Sequence, residues 1–83
     1  MAGKMSFTDQ VDALEDLAMQ YGDLREDYSG RGMHGKQCYG IVTDRPMRLI
    51  EDAGEAGIKG AVMDSMGLDT IVYWPHISAP VPA

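Results

Sequence analysis

The sequence predicts an α+β domain in which two helices pack on a four-stranded, largely antiparallel sheet, in the order αββαββ. Three observations lead there. Two segments repeat apolar residues at helical spacing, and each carries start and stop signals of its own. Each is followed by two short runs rich in strand formers, separated by glycine-containing turns. Finally, 83 residues suffice for one small domain, in which both apolar helix stripes must be buried on one sheet. The chain reads as a single domain, 1–83, with residues 1–5 and the small, proline-rich end 77–83 expected to be mobile.

The first helix should begin near Ser6 or Thr8. Ser6 with Asp9 three residues on resembles a capping box, and an acid in the first turn suits the positive end of the helix dipole. Phe7, Val11, Leu14, Leu17, Ala18 and Tyr21 recur at helical spacing and form the apolar face. Asp9, Asp12, Asp16 and Gln20 lie opposite, with Glu15 flanking. Gly22 is a natural terminator. This helix therefore commits one side to a core and shows an acidic ridge on the other.

"LREDYS", Leu24 to Ser29, is a short strand candidate with Leu24, Glu26 and Tyr28 on one face. "QCYGIVTD", Gln37 to Asp44, is richer in strand formers: Cys38, Tyr39, Ile41 and Val42. Between them lies "GRGMHGK", Gly30 to Lys36, which satisfies most of the phosphate-binding pattern G-x-x-x-x-G-K-[ST]. A true P-loop leaves a strand and enters a helix, whose amides help to hold phosphate. Here the Gly-Lys pair leads into a strand, and Gln37 lacks the hydroxyl that would ligate magnesium. No ATPase site is supported; the stretch is the glycine-rich loop of an antiparallel hairpin. It is also the most basic stretch of the chain. Arg31, His34 and Lys36 make it a candidate contact for an anion or a partner, beside the plainer reading of a structural loop.

The second helix opens at "TDRPMRLIEDAGEAG". Thr43 or Asp44 can cap it, and Pro46 suits its first turn. Met47, Ile50, Ala53 and Leu49 are expected on the buried side, with Arg48, Glu51, Asp52 and Glu55 in water. Arg48 can pair with Glu51 or Asp52. Gly57 should end the helix. A second hairpin comes next, with one strand near Ala61 to Ser65, a turn at "MGLD" and the strand "TIVYW", stopped by Pro75; the alternative for "AVMDSMG", Ala61 to Gly67, is the last turn of a helix. Trp74 and Ile71 are the expected anchors of the core.

Thirteen acidic residues against seven basic ones give a net charge of −6. Such a surface repels nucleic acid and anionic membranes and is drawn to basic partners, although solubility alone also accounts for it. One cysteine, Cys38, excludes an internal disulfide and fits a reducing cytoplasm. His34 and His76 are far apart, and no metal or cofactor is expected. No apolar run approaches the ~20 residues that span a bilayer. Cys38 with His34 could in principle pair as nucleophile and base, but a lone cysteine entering a strand is more often a small buried hydrophobe. Glu26, Asp27, Asp64 and Asp69 show no spacing that makes them converge. Tyr28, Tyr39, Tyr73 and Trp74 are packing residues or interface anchors.

"DYSGRGMHGKQCYGIV" followed by "DSMGLDTIVYWP" resembles short hypothetical proteins of phages and prophages. These share a Y-S-G-R-G-M-x-G segment before a Cys-containing strand, and a D-S-M-G-x-D block before a strand ending in Tyr-Trp-Pro. The likeness covers most of the chain from Asp27 to Pro75. Small acidic proteins of this origin include inhibitors of bacterial defence, among them anti-CRISPR proteins. The resemblance implies a non-enzymatic inhibitor in the host cytoplasm, whose partner is a host protein or ribonucleoprotein, such as a type I CRISPR effector. Its acids would then stand in for DNA phosphates on a basic surface. Asp9, Asp12, Glu15 and Asp16 are the first candidates, and Glu51, Asp52 and Glu55 the second. An alternative is capture of a small anionic ligand, such as a signalling nucleotide, by Arg31, His34 and Lys36 of the loop. A free strand edge would also allow a homodimer.

Overall fold

The computed structural model describes residues 6–30 and 33–77. In chain order these form helix α1 (Phe7–Tyr21), strands β1 (Gly22–Tyr28) and β2 (Cys38–Thr43), helix α2 (Pro46–Glu55), and strands β3 (Val62–Met66) and β4 (Asp69–Trp74). The strands make one antiparallel sheet in the order β1-β2-β4-β3. The predicted α+β arrangement is the one found. The two αββ halves meet along β2 and β4, paired from Tyr39↔Trp74 to Thr43↔Thr70. That order relates the halves by an approximate twofold axis normal to the sheet.

Both helices cover the same sheet face. Leu14, Leu17 and Tyr21 of α1, with Leu49 and Ala53 of α2, pack on Tyr39, Ile41, Val72 and Trp74, alternate residues of the central strands. The intervening residues, Cys38, Ile71 and Tyr73, form a second, smaller core on the opposite face, beneath Tyr28, Met33, Val42 and Met66. Burial on both sides explains why "QCYGIV" and "TIVYW" are nearly continuous apolar runs rather than alternating ones.

The local chemistry of each element is visible in its ends. Ser6 and Asp9 form the reciprocal capping box of α1, satisfying two amides that a helix start leaves without partners. Helix α2 has Pro46 at its first turn and no side-chain cap; Thr43 instead accepts the Arg45 amide at 3.0 Å. Its end is a Schellman motif: Gly57, at φ 95°, donates to Gly54, and Ile58 donates to Ala53 at 2.8 Å. Ile58 then packs in the main core beside Ala53, the apolar contact that accompanies this motif.

Several expectations are corrected. Leu24 and Tyr28 lie on opposite faces, because the register shifts between Arg25↔Gly40 and Tyr28↔Cys38. Three steps on β1 answer two on β2, and the extra residue of this bulge turns Tyr28 away from the helices. Phe7 is 40% exposed and meets the Tyr39 ring edge-on, with centroids 5.9 Å apart. Met47 is 62% exposed; α2 buries the neighbouring face through Leu49 and Ala53. Ile77 is not part of a mobile end: it is buried, and its carbonyl accepts the Tyr39 amide at 2.9 Å. Residues 1–5 and 78–83 lie outside the described residues. Arg48 forms no ion pair with Glu51 or Asp52; among the described residues the one such pair joins Arg45 and Asp44 at 3.6 Å.

Helix α1 passes into β1 with no linker, and Gly22 makes this possible. A Cβ there would stand 1.8 Å from the Val42 carbonyl oxygen, a backbone atom that cannot swing aside. Gly22→Ala should therefore lower stability by about 1–3 kcal/mol or more, read as a drop in the urea midpoint. Trp74, fully buried between the two halves, should cost ~3–5 kcal/mol when cut to Ala. An 83-residue chain has roughly 4–12 kcal/mol in total, so circular dichroism should show Trp74→Ala largely unfolded or melting far below wild type.

Candidate functional site

The acids of the two helices share one surface. Helical phase sets Asp9, Asp12 and Asp16 opposite Leu14, Leu17 and Tyr21, and Glu51 and Glu55 away from Leu49 and Ala53. All five, and Glu15, are exposed. Because both helices lie on one sheet face, these carboxylates occupy the outer side of a single helical layer. Helix α1 carries no basic residue at all, and α2 carries only Arg48. None of these carboxylates is ion-paired among the described residues.

The layer continues onto β1. Glu15, Ala18, Met19, Gly22, Asp23 and Leu24 line a shallow groove of about 440 Å³ between α1 and the edge strand. The Tyr39 hydroxyl donates to Glu26 at 3.3 Å, and Glu15 is also close enough to act on that hydroxyl. Glu26 thus extends the acidic surface, whereas Asp23, paired with Val42, shares the opposite sheet face. Sequence reasoning missed Glu26 as part of this surface, although the abrupt helix-to-strand reversal at Gly22, which folds β1 back beside α1, could have suggested it.

Two of the predicted acids have structural duties as well. Asp9 completes the α1 cap, its carboxylate accepting the Ser6 amide at 3.4 Å. Asp52 does not stand free in water as expected. It is half-buried and accepts the Tyr21 hydroxyl, which ties α2 to the end of α1. Arg45 reinforces that junction. Its guanidinium lies over the Tyr21 ring, 4.7 Å from the centroid, and donates to the Gln20 carbonyl at 2.8 Å. A cation at a helix C-terminus meets both the free carbonyls and the dipole.

The glycine-rich loop is committed inward. Gly30 rests on the Tyr73 ring, where a Cβ would come within 2.6 Å of the ring atoms. Its amide donates to the Met33 sulfur at 3.1 Å, Met33 donates back to the Gly30 carbonyl, and Lys36 donates to the Met33 carbonyl at 3.1 Å. His34 and Gly35 both have positive φ, 55° and 83°, as a type I′ hairpin turn requires. The amides of Gly30, Met33 and Lys36 are thus bonded within the loop, whose Met33 covers the second core. The side chains of His34 and Lys36 are exposed at the turn, while Arg31 lies outside the described residues. Cys38 is buried beneath Met33, 3.8 Å from its sulfur, and burial pushes its thiol up. That environment disfavours the thiolate a nucleophile needs. The described residues hold no His, Cys, Asp or Glu group fit for a metal ion, and no helix among them is long and apolar enough to cross a membrane.

Three tyrosine hydroxyls bind carboxylates: Tyr21 to Asp52, Tyr28 to Asp64 at 3.3 Å, and Tyr39 to Glu26. All three are raised above the ordinary value of 10.0. For Tyr21 the main cause is the bond to Asp52; for Tyr28 and Tyr39 it is burial, followed by the neighbouring acid. A group raised in the folded state contributes stability that is full below its unfolded value and is lost as pH climbs through the folded one. Stability should hold up to about pH 10 and fall steeply above it, with tyrosinate absorbance and unfolding rising together. Early titration of all the tyrosines with no loss of structure would contradict this. Comparison with family models, with curated proteins and with solved structures finds no match for this chain.

Proposed function

We propose that this chain is a small acidic inhibitor of the phage anti-CRISPR kind, non-enzymatic, which occupies a basic nucleic-acid-binding surface of a host complex such as a type I CRISPR effector. The observation that carries the reading is the helical layer: Asp9, Asp12, Glu15, Asp16, Glu51 and Glu55 are exposed on elements that cover the same side of the sheet, with Arg48 the one cation of either helix. Lysine and arginine side chains arranged to grip phosphates grip such carboxylates by the same electrostatics. The rigid antiparallel sheet holds the layer in place, so little ordering cost falls on binding. The nucleotide-capture alternative draws less support, since the amides of Gly30, Met33 and Lys36 are bonded within the loop.

The test neutralises Asp12, Glu15, Asp16, Glu51 and Glu55 to Asn or Gln. Asp9 and Asp52 are left in place because they hold the α1 cap and Tyr21. Surface changes of this kind usually shift stability by about 0.5 kcal/mol or less each. Exposed ion pairs contribute ~0.2–1 kcal/mol apiece. Five of them sum to roughly 1–5 kcal/mol, so affinity for a purified type I effector complex should fall from about five-fold to over a thousand-fold. Wild-type binding should weaken steeply with salt, and target DNA should compete. Equal affinities, a flat salt response or absence of DNA competition would sink the reading.

A further inference from the structure

The two edges of the sheet are not equivalent. Strand β1 carries Asp23, Arg25, Glu26 and Asp27 and is broken by a bulge, devices that discourage a further strand from pairing. Strand β3, "VMDSM", is regular, free of lysine and proline, and pairs with β4 from Val62↔Tyr73 to Met66↔Asp69 without interruption. Its one charge, Asp64, is engaged by the Tyr28 hydroxyl. Exposed apolar side chains gather beside it: Val62 41%, Met63 46% and Met47 62%, with Leu68 at the tip of the β3–β4 turn. Met47 and Met63 line a shared groove with Pro46, Asp64, Ser65 and Thr70. Among the described residues, no strand lies outside β3.

We propose that the outer edge of β3 is a dimer interface, at which a second copy of this chain adds its own β3 antiparallel to form a continuous eight-stranded sheet. The occupant follows from charge and symmetry. Of the two sheet edges, β3 carries one carboxylate and β1 three, so two chains of net charge −6 pair edge to edge with least repulsion at β3. Antiparallel pairing of one strand with itself is an isologous contact that closes as a dimer. Centring the pair on Asp64 would oppose two carboxylates, which is unfavourable. Centring it on Met63 sets Met63 against Met63 beneath the two Met47 side chains, and Val62 against Asp64. It also brings Lys59 of each copy, just before the strand, alongside the other's turn with Leu68 and Asp69, joining the local cation to an exposed acid. The axis is normal to the sheet, so both helical layers face the same way and the dimer presents twice the acidic surface.

Sedimentation or light scattering should give twice the 9.1 kDa chain mass at about 100 μM, where a dissociation constant of about 1 μM leaves mostly dimer. Met63→Lys should yield a monomer with an unchanged circular dichroism spectrum, the side chain being exposed. Met63→Cys should form a covalent dimer under mild oxidation, since facing residues of an antiparallel pair are within disulfide reach, and Cys38 is buried and does not compete. A wild type that stays monomeric at that concentration would overturn the proposal. So would a Met63→Lys variant that remains dimeric, or a dimeric Met63→Cys variant that fails to cross-link.

Discussion

The pairing of β2 with β4 is the interaction on which everything else depends. These strands join the halves of the chain, and their large apolar residues alternate between two cores. Tyr39, Ile41, Val72 and Trp74 receive the helices; Cys38, Ile71 and Tyr73 receive the loop and Tyr28. Because side chains alternate along a strand, a slip of one residue would exchange the two sets. The helices would then meet the surface shaped for Met33 and Gly30, and the loop would face positions meant for leucines. Register is thus fixed from both sides at once.

With both sheet faces engaged, the polar chemistry is pushed outward in an orderly way. Tyrosines at the margins of the cores take one carboxylate each, while Arg45 closes the junction of α1 and α2. The remaining acids of the helices have no such partners among the described residues. A domain that ties down Asp52 and Asp64 yet leaves Asp12, Asp16, Glu51 and Glu55 free keeps like charges together on one side. Mutual repulsion there works against compactness, and the apolar contacts of the main core outweigh it.

Much of this was legible in the sequence. The Ser6 cap, the stop at Gly22, Pro46, Gly57 and the strand "TIVYW" are local features whose physics is contained in a few neighbouring residues. The loop could be told from a P-loop because it leads into a strand, not a helix. Less legible were features that depend on distant partners. The bulge that turns Tyr28 away exists to cover Tyr73, 45 positions later; their rings lie 4.9 Å apart. Asp52 looked like any acid on a polar face, because its partner, Tyr21, sits on another helix. Met47 fits the apolar period of α2 as well as Leu49 does, and only the placement of α2 over β4 decides between them. For the acidic surface, the sequence supplied the residues and the common sheet face supplied their convergence.

Trp74 is the chain's single tryptophan, and it is fully buried on the strand that holds the halves together. Its indole N–H has no hydrogen-bond partner among the described residues, and the ring packs in the main core with leucine, isoleucine, valine and tyrosine side chains. The molecule therefore carries its own optical probe. Emission from that ring should be displaced towards short wavelengths and be inaccessible to dissolved quenchers for as long as the seam is closed. Light from one residue thus reports whether the two halves of the sheet are joined, with no label attached to the helical face or to either edge.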